Sequence, residues 1–297
     1  MSIAATVARS ARPNFLILTP VCIFPALAAA HAAGSTPTAL TAVLIVVAGL
    51  LAHASVNLIN EWDDFRSGLD LATQRTPFSG GSGALPAVPA ASTAVLASGL
   101  AGLGTSALIG LFLMAESGLG LLIPGLVGLV LVLAYTAWIT RRPLLCLLAP
   151  GLGFGPIMVA GSYYAVTGHY SVAILWASLT PMMLVSGLLL INQFPDVEPD
   201  RSHGRLHMPI LLGRAASARL FVVVLLLAYL VPVTGVLAGV LPMTTLLLLL
   251  AAPAAFVVGR KALLHADDPK ALTPWLGLNV ATLMATIVLL GVGLLLA

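Results

Sequence analysis

The sequence predicts an all-α integral membrane protein, a bundle of nine transmembrane helices. Of its 297 residues, 60% are hydrophobic and only 8% are charged, whereas soluble domains carry about 25% charged residues. The chain also contains many long apolar runs, while the period-two alternation of a membrane β-barrel is absent. These features exclude a soluble globular enzyme, a disordered chain and a basic nucleic-acid-binding protein.

Nine segments are apolar and long enough to cross a bilayer as helices, which requires roughly 20 residues. In chain order they are approximately 14–33, 38–60, 91–114, 118–138, 144–167, 171–192, 216–238, 241–258 and 272–296. The first is long and lacks a small-residue cleavage site, so we do not expect a cleavable signal peptide. We predict one membrane domain over 1–297, with two pseudo-repeats at about 14–138 and 144–296.

The positive charges support this topology. All thirteen Lys and Arg residues lie before the first span or in and beside the connections that follow even-numbered spans. Because basic residues accumulate on the cytoplasmic side, we predict a multi-pass protein of the inner (cytoplasmic) membrane. Its amino terminus would face the cytoplasm. The loops that follow the even-numbered spans would lie on the same side and form cytoplasmic caps.

Seven of the ten acidic residues lie in two short stretches, at the ends of the second and sixth spans. The first motif is NEWDDFRSGLD (60–70) and the second motif is NQFPDVEPDR (192–201). Both begin with Asn-x-x-x-Asp and both are predicted on the cytoplasmic side. This pattern indicates a weak internal duplication with two facing acidic sites.

The spacing within each motif determines how the polar side chains can converge. Asn60 and Asp64 are four residues apart and share one face of a helix. Asp196 and Asp200 have the same spacing, but the prolines in that stretch can break the helix, and the carboxylates would then converge by another geometry. Facing carboxylates suit Mg²⁺, and the neighbouring arginines suit phosphate. Together they predict a diphosphate-binding mouth for a substrate with an apolar tail.

At these motifs the sequence resembles the UbiA superfamily of intramembrane prenyltransferases, whose members have nine helices and aspartate-rich motifs after the second and sixth. The six-residue gap from Asp64 to Asp70 resembles the dihydroxynaphthoate branch, as do FGPIMVAGSYY (154–164) and DRSHGR (200–205). Two positions depart from the family pattern. Glu61 stands where aspartate is usual, and Pro195 stands where the naphthoate enzymes commonly carry arginine.

The resemblance implies Mg²⁺-dependent transfer of an isoprenyl group from an allylic diphosphate to an aromatic acceptor. Dihydroxynaphthoate is the expected acceptor, in menaquinone-type quinone biosynthesis, with loss of its carboxyl group as CO₂. The expected partners are therefore an isoprenyl diphosphate, an aromatic acceptor and membrane lipid, without nucleic acid.

The resemblance also implies residue roles. The catalytic and metal-binding residues would be Asn60, Asp64, Asp70, Asp196 and Asp200. The diphosphate would be bound by Arg66, Arg141, Arg142, Arg201 and Asn192. The acceptor or cation pocket would contain Tyr135, Tyr163 and Tyr164, since aromatic faces favour cations. His53 would contact a quinone-like acceptor there. Packing roles are the alternative for these four. From its glycines alone, the loop 79–83 is interpreted as a flexible cap over the mouth, with a plain linker as the alternative.

Three alternatives stay open at this point. A terpene cyclase of the same superfamily would have the same diphosphate half-site, and a prenyltransferase could use another aromatic or lipid acceptor. A cation-coupled transporter would also carry acids within the membrane. The acids here lie at the ends of spans beside arginines, which argues against transport.

Overall fold

The computed structural model describes all 297 residues and is helical throughout, without β-strands. The helices of the first half are α1 (Ile3–Ser10), α2 (Pro13–Leu16), α3 (Leu18–Ala32), α4 (Ala39–Ser67), α5 (Leu69–Ala72), α6 (Ala84–Ala87), α7 (Ser92–Ser117) and α8 (Leu122–Ala134). Those of the second half are α9 (Pro143–Leu152), α10 (Gly161–Thr167), α11 (Val172–Asn192), α12 (Val197–Ser202), α13 (Met208–Leu212), α14 (Arg214–Leu237), α15 (Ala252–Leu264) and α16 (Pro269–Leu295). A π-helical stretch, Gly153–Ala160, joins α9 to α10, and a 3₁₀ stretch, Met243–Ala251, precedes α15.

Seven continuous helical segments are long and apolar enough to cross a membrane, by length and composition. The segments Ile3–Leu16 and Leu18–Ala32 meet at 42° and count as an eighth if together they form one span. The predicted fourth span corresponds to Leu119–Ala134, which is apolar but shorter. The multi-pass helical fold is therefore confirmed, whereas nine crossings, their orientation and the two pseudo-repeats remain predictions.

The core lies in the interior of the bundle, where the largest apolar cluster joins α3, α9, α11, α14, α15 and α16. Helix α11 is central: 67% of its most apolar stretch is buried, against 17% for α4. Many leucine and valine side chains of the outer helices are exposed, as expected for a surface that faces lipid. The first motif is therefore carried by a peripheral helix and the second by the central one.

Both acidic motifs have the same local shape, a long helix that ends and a short helix that follows. Helix α4 carries the first motif to Ser67, and α5 then carries Asp70. Helix α11 ends at Asn192, Pro195 prevents its continuation, and α12 begins directly after Asp196. Of the two geometries that the sequence allowed for the second motif, the broken helix is the one found.

Candidate active site

A cavity of about 120 Å³ lies where the two motifs meet. Its walls come from the ends of α4 and α11, from α5 and α12, and from the loop that precedes α6. The carboxylate and amide residues singled out in both motifs all line this cavity: Asn60, Asp64, Asp70, Asn192, Asp196 and Asp200. The fold thus brings together residues that are far apart in the sequence.

The side chains of Asn60 and Asp64 in the first motif are joined by a hydrogen bond. The Asn60 amide donates a hydrogen bond to Asp64 Oδ2 at 2.6 Å, as the shared helix face predicted. The Thr136 hydroxyl in turn donates to Asn60 Oδ1 at 3.3 Å. This chain of hydrogen bonds fixes the rotamer of Asp64 and turns its other oxygen towards the second motif.

Arg205 connects the two motifs. Its guanidinium donates to Asp64 Oδ1 on α4 and, at 3.1 Å, to Asp200 Oδ1 on α12. His207 Nε2 lies 2.9 Å from the other Asp200 oxygen. All of these side chains are largely buried, so the ion pairs are poorly screened by solvent. One arginine therefore neutralises a carboxylate from each motif.

The remaining acids of the cavity, Asp70 and Asp196, form no ion pair, unlike Asp64 and Asp200. Among the residues that line the cavity, three buried side-chain oxygens have no hydrogen-bond partner: Asp70 Oδ2, Asn192 Oδ1 and Asp196 Oδ1. Burial and the carboxylates of Glu61 and Asp64 raise the pKa of Asp70 to about 7. Burial and the Asp200 carboxylate also raise the pKa of Asp196 to about 7. Such an excess of negative charge and free lone pairs favours a hard cation.

These donors fit Mg²⁺ that arrives together with a diphosphate. No three His, Cys, Asp or Glu side chains lie close enough together to hold a metal ion by themselves. Mg²⁺ generally uses one or two protein carboxylates and completes its shell with water and phosphate oxygens. The unpartnered oxygens of Asp70 and Asp196, one from each motif, supply that kind of incomplete ligand set.

Residues 78–83, here called the strap, precede α6, and Phe78, Ser79, Gly80 and Gly81 line the cavity. Ser79 and Gly80 are close enough to Asp196 to lower its pKa against the effect of burial. Gly81 packs directly on the carboxylate of Asp70. The strap therefore touches the unpaired acid of each motif.

The four arginines predicted to bind diphosphate lie outside the lining of the cavity: Arg66, Arg141, Arg142 and Arg201. All four are exposed. Arg66 and Arg142 each stack over a nearby tryptophan, with 4.8 and 5.7 Å from the guanidinium carbon to the ring centroid. Their role in binding remains a prediction. The arginines that do line the cavity are Arg12 and Arg205.

Of the four predicted pocket residues, Tyr135 alone lines the cavity. His53 is buried two turns before the first motif, where its ring meets Phe154 edge-on at 4.8 Å. Tyr163 packs in a separate apolar cluster. The Tyr164 hydroxyl accepts a hydrogen bond from a backbone amide in the connection between α7 and α8, at 3.2 Å. The structure does not bring these three side chains to the motifs.

Arg12, Arg205 and His207 line the cavity but were not among the assigned site residues, although arginines beside the motifs were expected to suit phosphate. Arg205 follows Asp200 by five residues, and this proximity was the one available signal. Arg12 precedes the first span, and no pattern in the sequence connects it with either motif.

The chain belongs to the UbiA prenyltransferase family, whose model matches residues 21–283. The 1,4-dihydroxy-2-naphthoate octaprenyltransferase of Bacillus subtilis (strain 168) is 29% identical over 191 residues, which cover 62% of this chain and 59% of that protein. The 2-carboxy-1,4-naphthoquinone phytyltransferase of Synechocystis sp. is 27% identical over 157 residues, 49% of this chain and 48% of that protein. The chain thus spans about half to three fifths of the length of these curated relatives.

Solved structures agree with this assignment of the fold. A UbiA homologue from Aeropyrum pernix K1 has a TM-score of 0.67 at 21% identity, covering 100% of this chain and 98% of that one. A UbiA homologue from Archaeoglobus fulgidus bound to DMAPP and Mg²⁺ has a TM-score of 0.60 at 15% identity, covering 97% and 99%. The resemblance to the UbiA superfamily that the two motifs indicated is confirmed, and the relatives are of the naphthoate kind.

Proposed function

We propose that this protein is a Mg²⁺-dependent prenyltransferase that transfers an isoprenyl group from an allylic diphosphate to a dihydroxynaphthoate-type acceptor. The observation that carries the proposal is the convergence of carboxylates from both motifs on one buried cavity that also contains Arg12 and Arg205. Membership of the UbiA family and the names of the two curated relatives support it. The enzyme would work in the cytoplasmic membrane, with this cavity on the cytoplasmic side.

The carboxylates and the arginines of the cavity would have different roles in binding the diphosphate. Asp64 and Asp70 from the first motif, and Asp196 from the second, are the candidates to hold Mg²⁺. When bound, Mg²⁺ would neutralise the diphosphate and make it a better leaving group. Arg12 and Arg205 would donate to its oxygens, because a guanidinium matches phosphate geometry.

The apolar interior of the bundle suits the isoprenyl chain and its reacting allylic carbon. As the C–O bond to the diphosphate breaks, positive charge develops on the allylic carbon, and exclusion of water protects it. Tyr135, which lines the cavity, offers an aromatic face to that charge. The acceptor ring forms the new C–C bond, and its carboxylate then leaves as CO₂ and returns an electron pair to the ring.

Purified protein incubated with geranylgeranyl diphosphate and dihydroxynaphthoate tests this proposal. We expect diphosphate release and a prenylated, decarboxylated product by mass, both dependent on the acceptor and both abolished by EDTA. Release without acceptor, together with a hydrocarbon or alcohol product, would instead identify a terpene cyclase. No release from a series of shorter and longer allylic diphosphates would contradict prenyl transfer.

Gly81→Ala is expected to slow the reaction by about tenfold or more, because an added Cβ would displace the Asp70 carboxylate, and a misplacement of about 1 Å can cost about 10²-fold in rate. Gly81 has a φ of +74°, and a Cβ there would overlap the carboxylate of Asp70. Gly34→Ala is the control, because Gly34 has a φ of +79° but nothing within 4 Å of an added Cβ. Initial rates of diphosphate release measure the difference. Equal rates for the two variants would mean that contact between the strap and Asp70 is unimportant.

A further inference from the structure

Glu61 follows Asn60 in the first motif but does not line the cavity. It is fully buried, and its carboxylate accepts hydrogen bonds from two separate segments. Arg12 Nη2 lies 3.4 Å from Oε2, the Ser82 backbone N–H donates to Oε2 at 2.9 Å, and the Ser82 hydroxyl donates to Oε1. One carboxylate thus joins the amino-terminal segment and the strap to α4.

The amino-terminal segment is held in an unusual conformation at this contact. Arg12 has a φ of +53° and is the only non-glycine residue in the left-handed region, which is costly for a side chain of this size. The Asn57 amide donates to the Ala11 carbonyl at 3.0 Å and anchors the same segment on α4. Arg12 lines the cavity, and its buried Nε has no hydrogen-bond partner. The surrounding contacts therefore hold a guanidinium with a free donor at the edge of the cavity.

The strap limits the space for a substrate. A cavity of about 120 Å³ is small beside the roughly 300–1,000 Å³ of ordinary ligand sites. The hydrogen bonds from Ser82 to Glu61 are the only ones that join the strap to α4. Movement of the whole strap away from α4 therefore requires these bonds to break.

We infer that Glu61 is a positioning residue that fastens the strap over the cavity and holds Arg12 at its edge, and that release of Ser82 from Glu61 admits the diphosphate substrate. The nature of the entering molecule rests on the proposed function, whereas the fastening does not. This role explains why glutamate occupies a position where aspartate was expected. From α4, the Glu61 carboxylate reaches both Ser82 and Arg12.

Limited trypsin digestion of the full-length protein in nanodiscs tests the fastening without any substrate. Arg75 is exposed and lies three residues before the strap, so cleavage of the Arg75–Thr76 bond reports how readily this loop opens. Glu61→Gln should accelerate this cleavage by about tenfold, the effect expected for loss of a charged hydrogen bond. Cleavage after Arg141, which is exposed elsewhere, should not change and provides the internal reference.

Three further variants make the test specific. Ser82→Ala should accelerate cleavage as Glu61→Gln does, and the double variant should add little, because both changes remove one contact. Asp63→Asn is the matched control, since Asp63 lies on the same helix, is partly exposed and makes no ion pair or hydrogen bond. Faster cleavage after Arg141 to the same degree, or no acceleration after Arg75 in Glu61→Gln, would overturn the fastening.

Kinetics then connect the fastening with catalysis. With geranyl diphosphate and Mg²⁺ as the probe, Glu61→Gln should raise KM for the diphosphate several-fold more than it lowers kcat, because Arg12 loses its support. A change in kcat alone would overturn a positioning role. Accelerated cleavage of substrate-free Glu61→Gln, with no effect of any allylic diphosphate of the series on cleavage or turnover of the wild type, would support the fastening and contradict the proposed function.

Discussion

Asp64→Asn and Asp196→Asn are each expected to lower the rate of prenyl transfer by about a thousandfold while the helical bundle stays folded. Asparagine keeps the size of the side chain but loses the negative charge that attracts Mg²⁺. A single electrostatic contact to developing charge is already worth about 10²–10³ in kcat. Loss of a metal ligand should also weaken metal binding, so higher Mg²⁺ concentrations should restore part of the rate.

Initial rates of diphosphate release over a series of Mg²⁺ concentrations measure this effect. Asp63→Asn is the control because it makes the same chemical change one residue away, at a side chain that does not line the cavity. Thermal unfolding and gel filtration check that each variant is folded. A rate near that of the wild type for Asp64→Asn would remove the first motif from the metal site, and the same result for Asp196→Asn would remove the second.

The residue types that meet in the cavity could be predicted because they follow from local patterns. A spacing of four put Asn60 and Asp64 on one helix face, and the structure joins them by a hydrogen bond of 2.6 Å. Each motif directly follows a long apolar run, and this position predicted that both motifs lie at the ends of membrane spans. Such features depend on helical periodicity and hydrophobicity, and both can be read from neighbouring residues.

The choice among the arginines could not be predicted in this way. Arg66 lies two residues after Asp64, so on a helix it points away from it, and it stacks over Trp62 instead. Arg205 reaches Asp200 because the chain reverses at Gly204, whose φ is +77°. Its contact with Asp64 joins residues 141 positions apart and depends on the packing of α12 against α5, the short helix that follows α4.

The number of spans illustrates a second limit. The apolar run 118–138 is long enough in residues to cross a bilayer, but the helix ends at Ala134. A short 3₁₀ turn at Ile139–Arg141 then leads into α9. Hydropathy measures how long an apolar run is, but it does not show where the helix within that run ends. The length of the run can therefore exceed the length of the helix.

Arg205→Ala is expected to destabilise the protein and to weaken diphosphate binding. The substitution leaves Asp64 and Asp200 buried without the guanidinium that neutralises both. Removal of one partner from a buried ion pair typically costs about 3–5 kcal/mol. Arg205→Lys should lose less stability than Arg205→Ala because lysine keeps the positive charge. It should still lose some, because lysine lacks the guanidinium fork that bridges two carboxylates. Melting temperatures in EDTA measure the loss, with the exposed Arg219→Ala as control.

Mg²⁺ should partly rescue this variant. Two carboxylates without a counter-ion form a better cation site than two carboxylates already paired with arginine, so Mg²⁺ should raise the melting temperature of Arg205→Ala more than that of the wild type. Geranyl diphosphate should add less further stabilisation to the variant, since one of its donors is gone. Equal stabilisation of both proteins by Mg²⁺ would mean that the arginine and the metal do not compete for the same carboxylates.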